Sequence, residues 1–132
     1  MSSIRFLILP PPAAPAAALP GQLLAAPFAY VPNEGSGTIS VIDTATDQVV
    51  GEMPGGTKPR GLAGGADGRW LDVSDQPNNR LQVLDLKARK LGTAVDLGES
   101  PEGVSISPDG RWVVAAIEGK SQIAATATRS RK

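Results

Sequence analysis

The chain has 132 residues, 13 of them basic and 13 acidic, with no cysteine and no histidine. A charge-balanced surface carries no long-range field for nucleic acid or anionic lipid. The missing thiol and imidazole exclude disulfides, thiolate nucleophiles, zinc–thiolate sites and the commonest general base and metal ligand.

Residues 1–29 differ from the rest: Arg5 is the only charge before Glu34, and Phe6-Leu7-Ile8-Leu9 opens an apolar stretch that runs through Ala and Pro to Ala29. One positive charge, an apolar middle and small residues before a cut after Ala18 or Ala29 predict an export signal, and hence a periplasmic or secreted protein. The alternative is a disordered Ala/Pro tail, since Pro10-Pro11-Pro12 would break a helix in the apolar stretch. No run is long and helical enough to predict a membrane span.

From residue 30 the chain repeats. Asp43 and Asp85, Pro59 and Pro101, and Trp70 and Trp112 each stand 42 residues apart, with their neighbours in register. The central copy predicts four short strands. Gly61 to Gly65 is the first, weakened by Gly64-Gly65. Asp67-Gly68 is a hairpin turn. Trp70 to Asp75 is the second strand, with the charge of Asp72 in its middle, and Gln76-Pro77-Asn78-Asn79 is a loop. Arg80 to Asp85 is the third, with Arg80 and Gln82 outward and Leu81 and Val83 inward. Lys87-Ala88-Arg89 turns the chain into the fourth, Lys90 to Leu97. Four strands per repeat of this length predict an all-β fold, a partial β-propeller of four-stranded antiparallel blades. Asp43 and Asp85 should accept the amides of the turns that follow them, Asp67 and Asp109 should form hairpin turns, and Trp70 and Trp112 should pack between blades.

Residues 30–128 then form an incomplete propeller with repeat boundaries near 30–70, 71–112 and 113–128, and residues 129–132 form a basic tail. The first copy supplies three strands and the second four. In the third, Thr126-Ala127-Thr128 matches Thr44-Ala45-Thr46 at a spacing of 82 rather than 84, which predicts a third strand short of two residues. That is about two and a half blades, against the four or so needed to close a propeller. Copies of the chain would meet out of phase, and open blade edges invite aggregation, so a truncated relative of a full propeller is expected.

Binding residues on propellers are expected where loops converge on the central channel. The loop entering each blade and the loop between its second and third strands should share one end, which collects Asn33, Lys58, Arg60, Asp75, Asn78 and Glu102 as candidates for a polar ligand or partner. Arg60 and Glu102 are equivalent in the repeat. Either they face the channel, or they are solvated turn residues or pair with each other. No catalytic residue, metal-ligand set or acid–base pair is predicted.

Tyr30-Val31-Pro32-Asn33, Gly37-Thr38-Ile39-Ser40-Val41-Ile42-Asp43-Thr44-Ala45-Thr46 and Ser105-Ile106-Ser107-Pro108-Asp109-Gly110 resemble the YVTN-type β-propeller repeat of secreted bacterial and archaeal proteins. The runs at 33–37, 74–79 and 97–103 are most similar to the propeller proteins associated with catabolism dependent on pyrroloquinoline quinone (PQQ). That resemblance implies an exported, non-catalytic binding module, accessory to quinoprotein alcohol oxidation, with a protein partner in a periplasmic quinoprotein or transport system. It implies no cofactor in this chain, because Asp43-Thr44-Ala45-Thr46 lacks the Gly and Trp of the tryptophan-docking motif. The alternatives are a propeller enzyme of the lactonase or quinoprotein kind, and a non-functional fragment.

Overall fold

The structure, a computed structural model, describes residues 7–10 and 27–128. Among them are three antiparallel sheets, each a meander of strands paired in chain order. The first blade holds β1 (Leu7–Leu9), β2 (Phe28–Asn33), β3 (Thr38–Asp43) and β4 (Gln48–Pro54). The second holds β5 (Pro59–Gly64), β6 (Trp70–Asp75), β7 (Arg80–Asp85) and β8 (Lys90–Asp96), and the third β9 (Pro101–Ile106), β10 (Trp112–Ile117) and β11 (Gln122–Ala127). This is the partial propeller expected from the repeat. The first strands of successive blades pack on one another, β1 on β5 and β5 on β9, along the inner edge of the arc.

The blades stack because their strands carry apolar residues on the facing sides. Leu9, Tyr30, Ile39, Val41 and Met53 of the first blade interlock with Leu62, Leu71, Val73 and Leu84 of the second in one buried cluster. Burying a side chain of this size contributes about 1.5–3 kcal/mol. Stacking also explains which positions alternate. In β10 the buried residues are Val113, Ala115 and Ile117, every second one, as for a sheet with one covered face. In β6, Leu71 through Asp75 are all buried, because a blade covers each face. The same arrangement buries Gln82 in β7, which strand alternation alone places outward. It also accommodates Asp72, fully buried in the middle of β6 between Ala63 and Val83 in register.

Part of the N-terminal stretch is built into the fold, and two further expectations change. Leu7–Leu9, read from sequence as export signal or tail, pairs antiparallel with Phe28–Tyr30 and supplies the inner strand of the first blade. Its Leu9 fills the space above Gly64, which accounts for one of the two glycines that seemed to weaken β5. The proposed cut sites themselves, Ala18 and Ala29, bracket a stretch of which 18–26 lies outside the described residues, as does the basic tail at 129–132. Next, β11 is not short: it pairs with β10 over six positions, Ile117 with Gln122 through to Trp112 with Ala127. The repeat register therefore holds to its end, and the Thr-Ala-Thr match at the other spacing is a coincidence of small residues. With β1 included, the described strands number eleven, not ten. Finally, Trp112 is 47 % exposed on the outer face of the third blade rather than packed between blades, and Ile123 on the neighbouring strand is 76 % exposed. Trp70, at the equivalent place in the second blade, is half-buried with the Arg69 guanidinium 4.7 Å from its ring centre.

The turns are built as their residues dictate. Asp67 accepts the Arg69 amide (3.1 Å) and Asp109 the Arg111 amide (3.0 Å). Asp43 accepts the Ala45 amide (2.8 Å), and Asp85 accepts those of Lys87 and Ala88 (2.9 Å each). Hydrogen bonds to a carboxylate favour its charged form. The Ser107 hydroxyl, then the Arg111 amide, hold Asp109 down from 3.8 to about 2, and the Ala88 amide is the main cause of a lowered Asp85.

Two outcomes follow. A carboxylate with a depressed folded-state pKa stabilises above its unfolded value, and that contribution is lost as pH falls through the folded one. Urea midpoints of the chain should therefore fall between about pH 4 and pH 2, and Asp109→Asn should flatten that decline; an unchanged slope would show that the turn carboxylates do not carry it. A methyl group at Gly61 would overlap the Glu102 carbonyl oxygen and lie 2.7 Å from the Val104 amide nitrogen, so Gly61→Ala should push the second and third blades apart. A loss of about 1–3 kcal/mol in urea unfolding is expected, whereas Ile123→Thr should change stability by less than about 0.5 kcal/mol.

Candidate functional site

The loops entering the blades and those between second and third strands do meet at one end of the arc. The Gln76 amide donates to the Lys58 carbonyl, the Glu118 amide to the Ser100 carbonyl (3.0 Å) and the Leu97 amide to the Asn79 carbonyl (3.0 Å). Arg60, near the start of β5, stands between two acids. Its Nη1 donates to the Glu102 carboxylate, at the equivalent place in β9, and its Nη2 to Glu34 Oε1 at 3.0 Å. Glu34 follows β2, so one guanidinium joins all three blades. Burial pulls the Arg60 pKa down, and the bonds and charges of Glu34 and Glu102 more than reverse it. The Arg60 Nε is buried and has no hydrogen bond among the described residues. Of the two readings open from sequence, pairing is the one observed.

A second cluster is centred on Asp75, which closes β6 and is fully buried. Its Oδ1 accepts the backbone amides of Thr57 and Lys58, each at 3.0 Å, and its Oδ2 accepts Asn78 Nδ2 at 2.7 Å. Asn78 also reaches Thr57 Oγ1 at 2.8 Å, and Arg80 Nε lies 3.8 Å from the same carboxylate. Asp75 and Asn78 thus shape the loop that presents Lys58 and Arg60. The Lys58 ammonium is exposed and has no ion pair among the described residues. Asn33 stands apart, donating to Thr38 Oγ1 (3.1 Å) and Ser40 Oγ (2.8 Å) within its own blade.

The cross-blade pattern continues at the next junction, where Gln76 Nε2 donates to Ser100 Oγ (3.0 Å), Ser100 Oγ to Glu118 Oε2 (3.3 Å) and the Ser100 amide to Asn79 Oδ1 (3.1 Å). Deeper in the wall, Ser74 Oγ accepts the Gly61 amide (2.7 Å) and donates to the Glu102 carbonyl (2.5 Å). Sequence reasoning places Glu34, Gln76 and Ser100 in these loops without singling them out. The available signal is that residues 34, 76 and 118, equivalent in the repeat, are all long acceptors or amides. No group of three or more acidic side chains suited to a metal ion occurs among the described residues.

The structural roles have different sizes. Asp75→Ala strands two partly buried amides and should cost about 2–4 kcal/mol in urea unfolding. The Arg60–Glu102 pair is partly exposed, so a double-mutant cycle should give a coupling of roughly 0.5–1 kcal/mol that shrinks as salt is raised.

No protein-family model and no curated protein sequence matches the chain. Among solved structures it is similar to Kuenenia stuttgartiensis hydrazine synthase, with a TM-score of 0.75 and 22 % identity over 94 % of this chain and 32 % of that one. It is also similar to the Cps50 (Swd1) β-propeller domain of Myceliophteria thermophila, with a TM-score of 0.64 and 21 % identity over 76 % of this chain and 32 % of that one. The chain thus spans about a third of each of these. At such identities the likeness is one of fold, and it agrees with the stacking of the three sheets: the chain is an arc of a β-propeller.

Proposed function

We infer that this propeller arc is a non-catalytic binding module, exported to the periplasm and accessory to PQQ-dependent alcohol oxidation, and that it offers its channel-end loops to a protein partner of a quinoprotein or transport system. The observation that carries the binding role is the state of the polar groups at that end. Arg60 is neutralised between Glu34 and Glu102, and Asp75 and Asn78 are saturated by the loop they hold. A rim so tied is rigid, which favours recognition by lowering the ordering cost of binding. It leaves the Lys58 ammonium as a charge available to a partner. The accessory role is supported by the resemblance of the repeat text alone, and the fold by itself is neutral on function.

The test is interferometry with the full chain over an immobilised quinoprotein alcohol dehydrogenase. Saturable binding is expected, weakened about tenfold or more by Lys58→Glu, equivalent to 1.4 kcal/mol, and unchanged by Lys90→Ala on the outer strand. Absence of binding, or equal losses in both variants, would overturn the reading. PQQ alone should leave the tryptophan fluorescence and the melting temperature unchanged; a saturable shift would make the chain a cofactor binder instead.

A further inference from the structure

At the opposite end of the arc, a cavity of about 590 Å³ opens between the first and second blades, within the usual range for small-molecule sites. Its two sides differ in chemistry. The first blade supplies an apolar floor of Phe28, Tyr30, Val41 and Met53, and the turns of the second blade supply Arg69, Lys87 and Arg89. One acid, Asp67, shares the lining and is engaged by the Arg69 amide.

The three cations are not equally committed. Arg69 pairs with Asp85 at 3.6 Å and lies over Trp70. Lys87 and Arg89 form no ion pair among the described residues. Arg89 is nonetheless held against the first blade: its guanidinium lies over Gly51 and donates a long hydrogen bond, 3.4 Å, to the Glu52 carbonyl. It sits at φ 55° in its turn, a conformation that non-glycine residues seldom adopt. The Tyr30 side chain is buried at the floor of the cavity. Burial raises the pKa of its hydroxyl while the Arg89 charge opposes the rise, so the two groups share one electrostatic environment.

An apolar floor beneath two uncompensated cations is complementary to an anion on an apolar body. The anion would gain charge-assisted bonds, and the body would displace water from the aromatic floor. We propose that this cavity is a binding site for a small amphipathic carboxylate, its anionic group on Lys87 and Arg89 and its apolar body against Phe28, Tyr30, Val41 and Met53. At the next junction the residue equivalent to Tyr30 is Asp72, so the repeat does not place the same aromatic floor there.

Calorimetry with the full chain tests this, using 3-phenylpropionate and the uncharged 3-phenylpropanamide as probes. One carboxylate should bind per chain, with the amide at least about tenfold weaker and the affinity falling as salt rises. Lys87→Gln should weaken binding several-fold, and Lys87→Gln with Arg89→Gln should abolish it, while Lys120→Gln, exposed in the third blade, has no effect. Circular dichroism checks that each variant folds. The Lys87 side chain makes no hydrogen bond or ion pair among the described residues, its backbone amide alone binding Asp85, so its single variant keeps the test decisive if loss of Arg89 unfolds the chain. No binding of the carboxylate, equal affinity for the amide, or undiminished affinity in Lys87→Gln would overturn the proposal.

Discussion

Leu71, Val73 and Leu84 on the second blade are cut off from water by the first blade, while Ser74 on the other side of the same sheet is cut off by the third. This two-sided burial of one sheet is the constraint on which the rest of the molecule depends. A sheet covered on one face can place polar residues outward at every second position, but a blade in mid-arc has no outward face. Its polar residues must then find partners inside the wall, as Ser74 does by linking the Gly61 amide to the Glu102 carbonyl. It also limits the size of residues at the inner strand, where backbones of neighbouring blades approach closely enough to demand Gly61.

The polar groups at the channel end answer the same constraint. Adjacent blades splay from the axis, and the apolar contacts that join them do not by themselves set their registration. Directional bonds do. Arg60 joins three blades through Glu34 and Glu102, and Gln76 reaches Ser100 across the next junction. Most of the side chains that look like a ligand site from sequence thus align the blades. Their rigidity is what a binding rim requires, so the structural role and the proposed binding role are compatible rather than competing. Away from the axis, at the opposite end, the polar bridge made by side chains across the first junction is a single long one, from Arg89 to the Glu52 carbonyl, among the described residues. There the turns of one blade hang over the apolar side of its neighbour, and a cavity with cations on one wall results.

The ends of the stack show what happens where the constraint is relaxed. β10 carries Val113, Ala115 and Ile117 inward, while Trp112, its 42-residue counterpart Trp70 being half-buried, stands 47 % exposed. Identical repeat positions thus have unlike environments according to whether a blade follows. At the other end, β1 supplies the inner strand of the first blade from a segment distant in sequence, its Leu9 entering the same core as Tyr30 and Leu71.

Local chemistry was legible in the sequence. The bounds of β6 and β7, the Asp-Gly hairpins and the aspartates that cap the turns after β3 and β7 depend on a few neighbouring residues and on a repeat that keeps its register, so the 42-residue spacing was sufficient to place them. The same holds for the end of the arc at which Lys58, Arg60 and Glu102 meet, since a meander alternates its loops between two ends. Contacts between blades, and one strand from outside the repeat, decided the rest. Nothing in the repeat says that Leu7–Leu9 returns to pair with β2, that Gln82 is buried, or that Glu34 completes the Arg60 bridge, because each of these joins residues that the repeat does not relate by its spacing. Periodicity reports which residues share a place within a blade; only the stacked structure determines which residues face one another between blades.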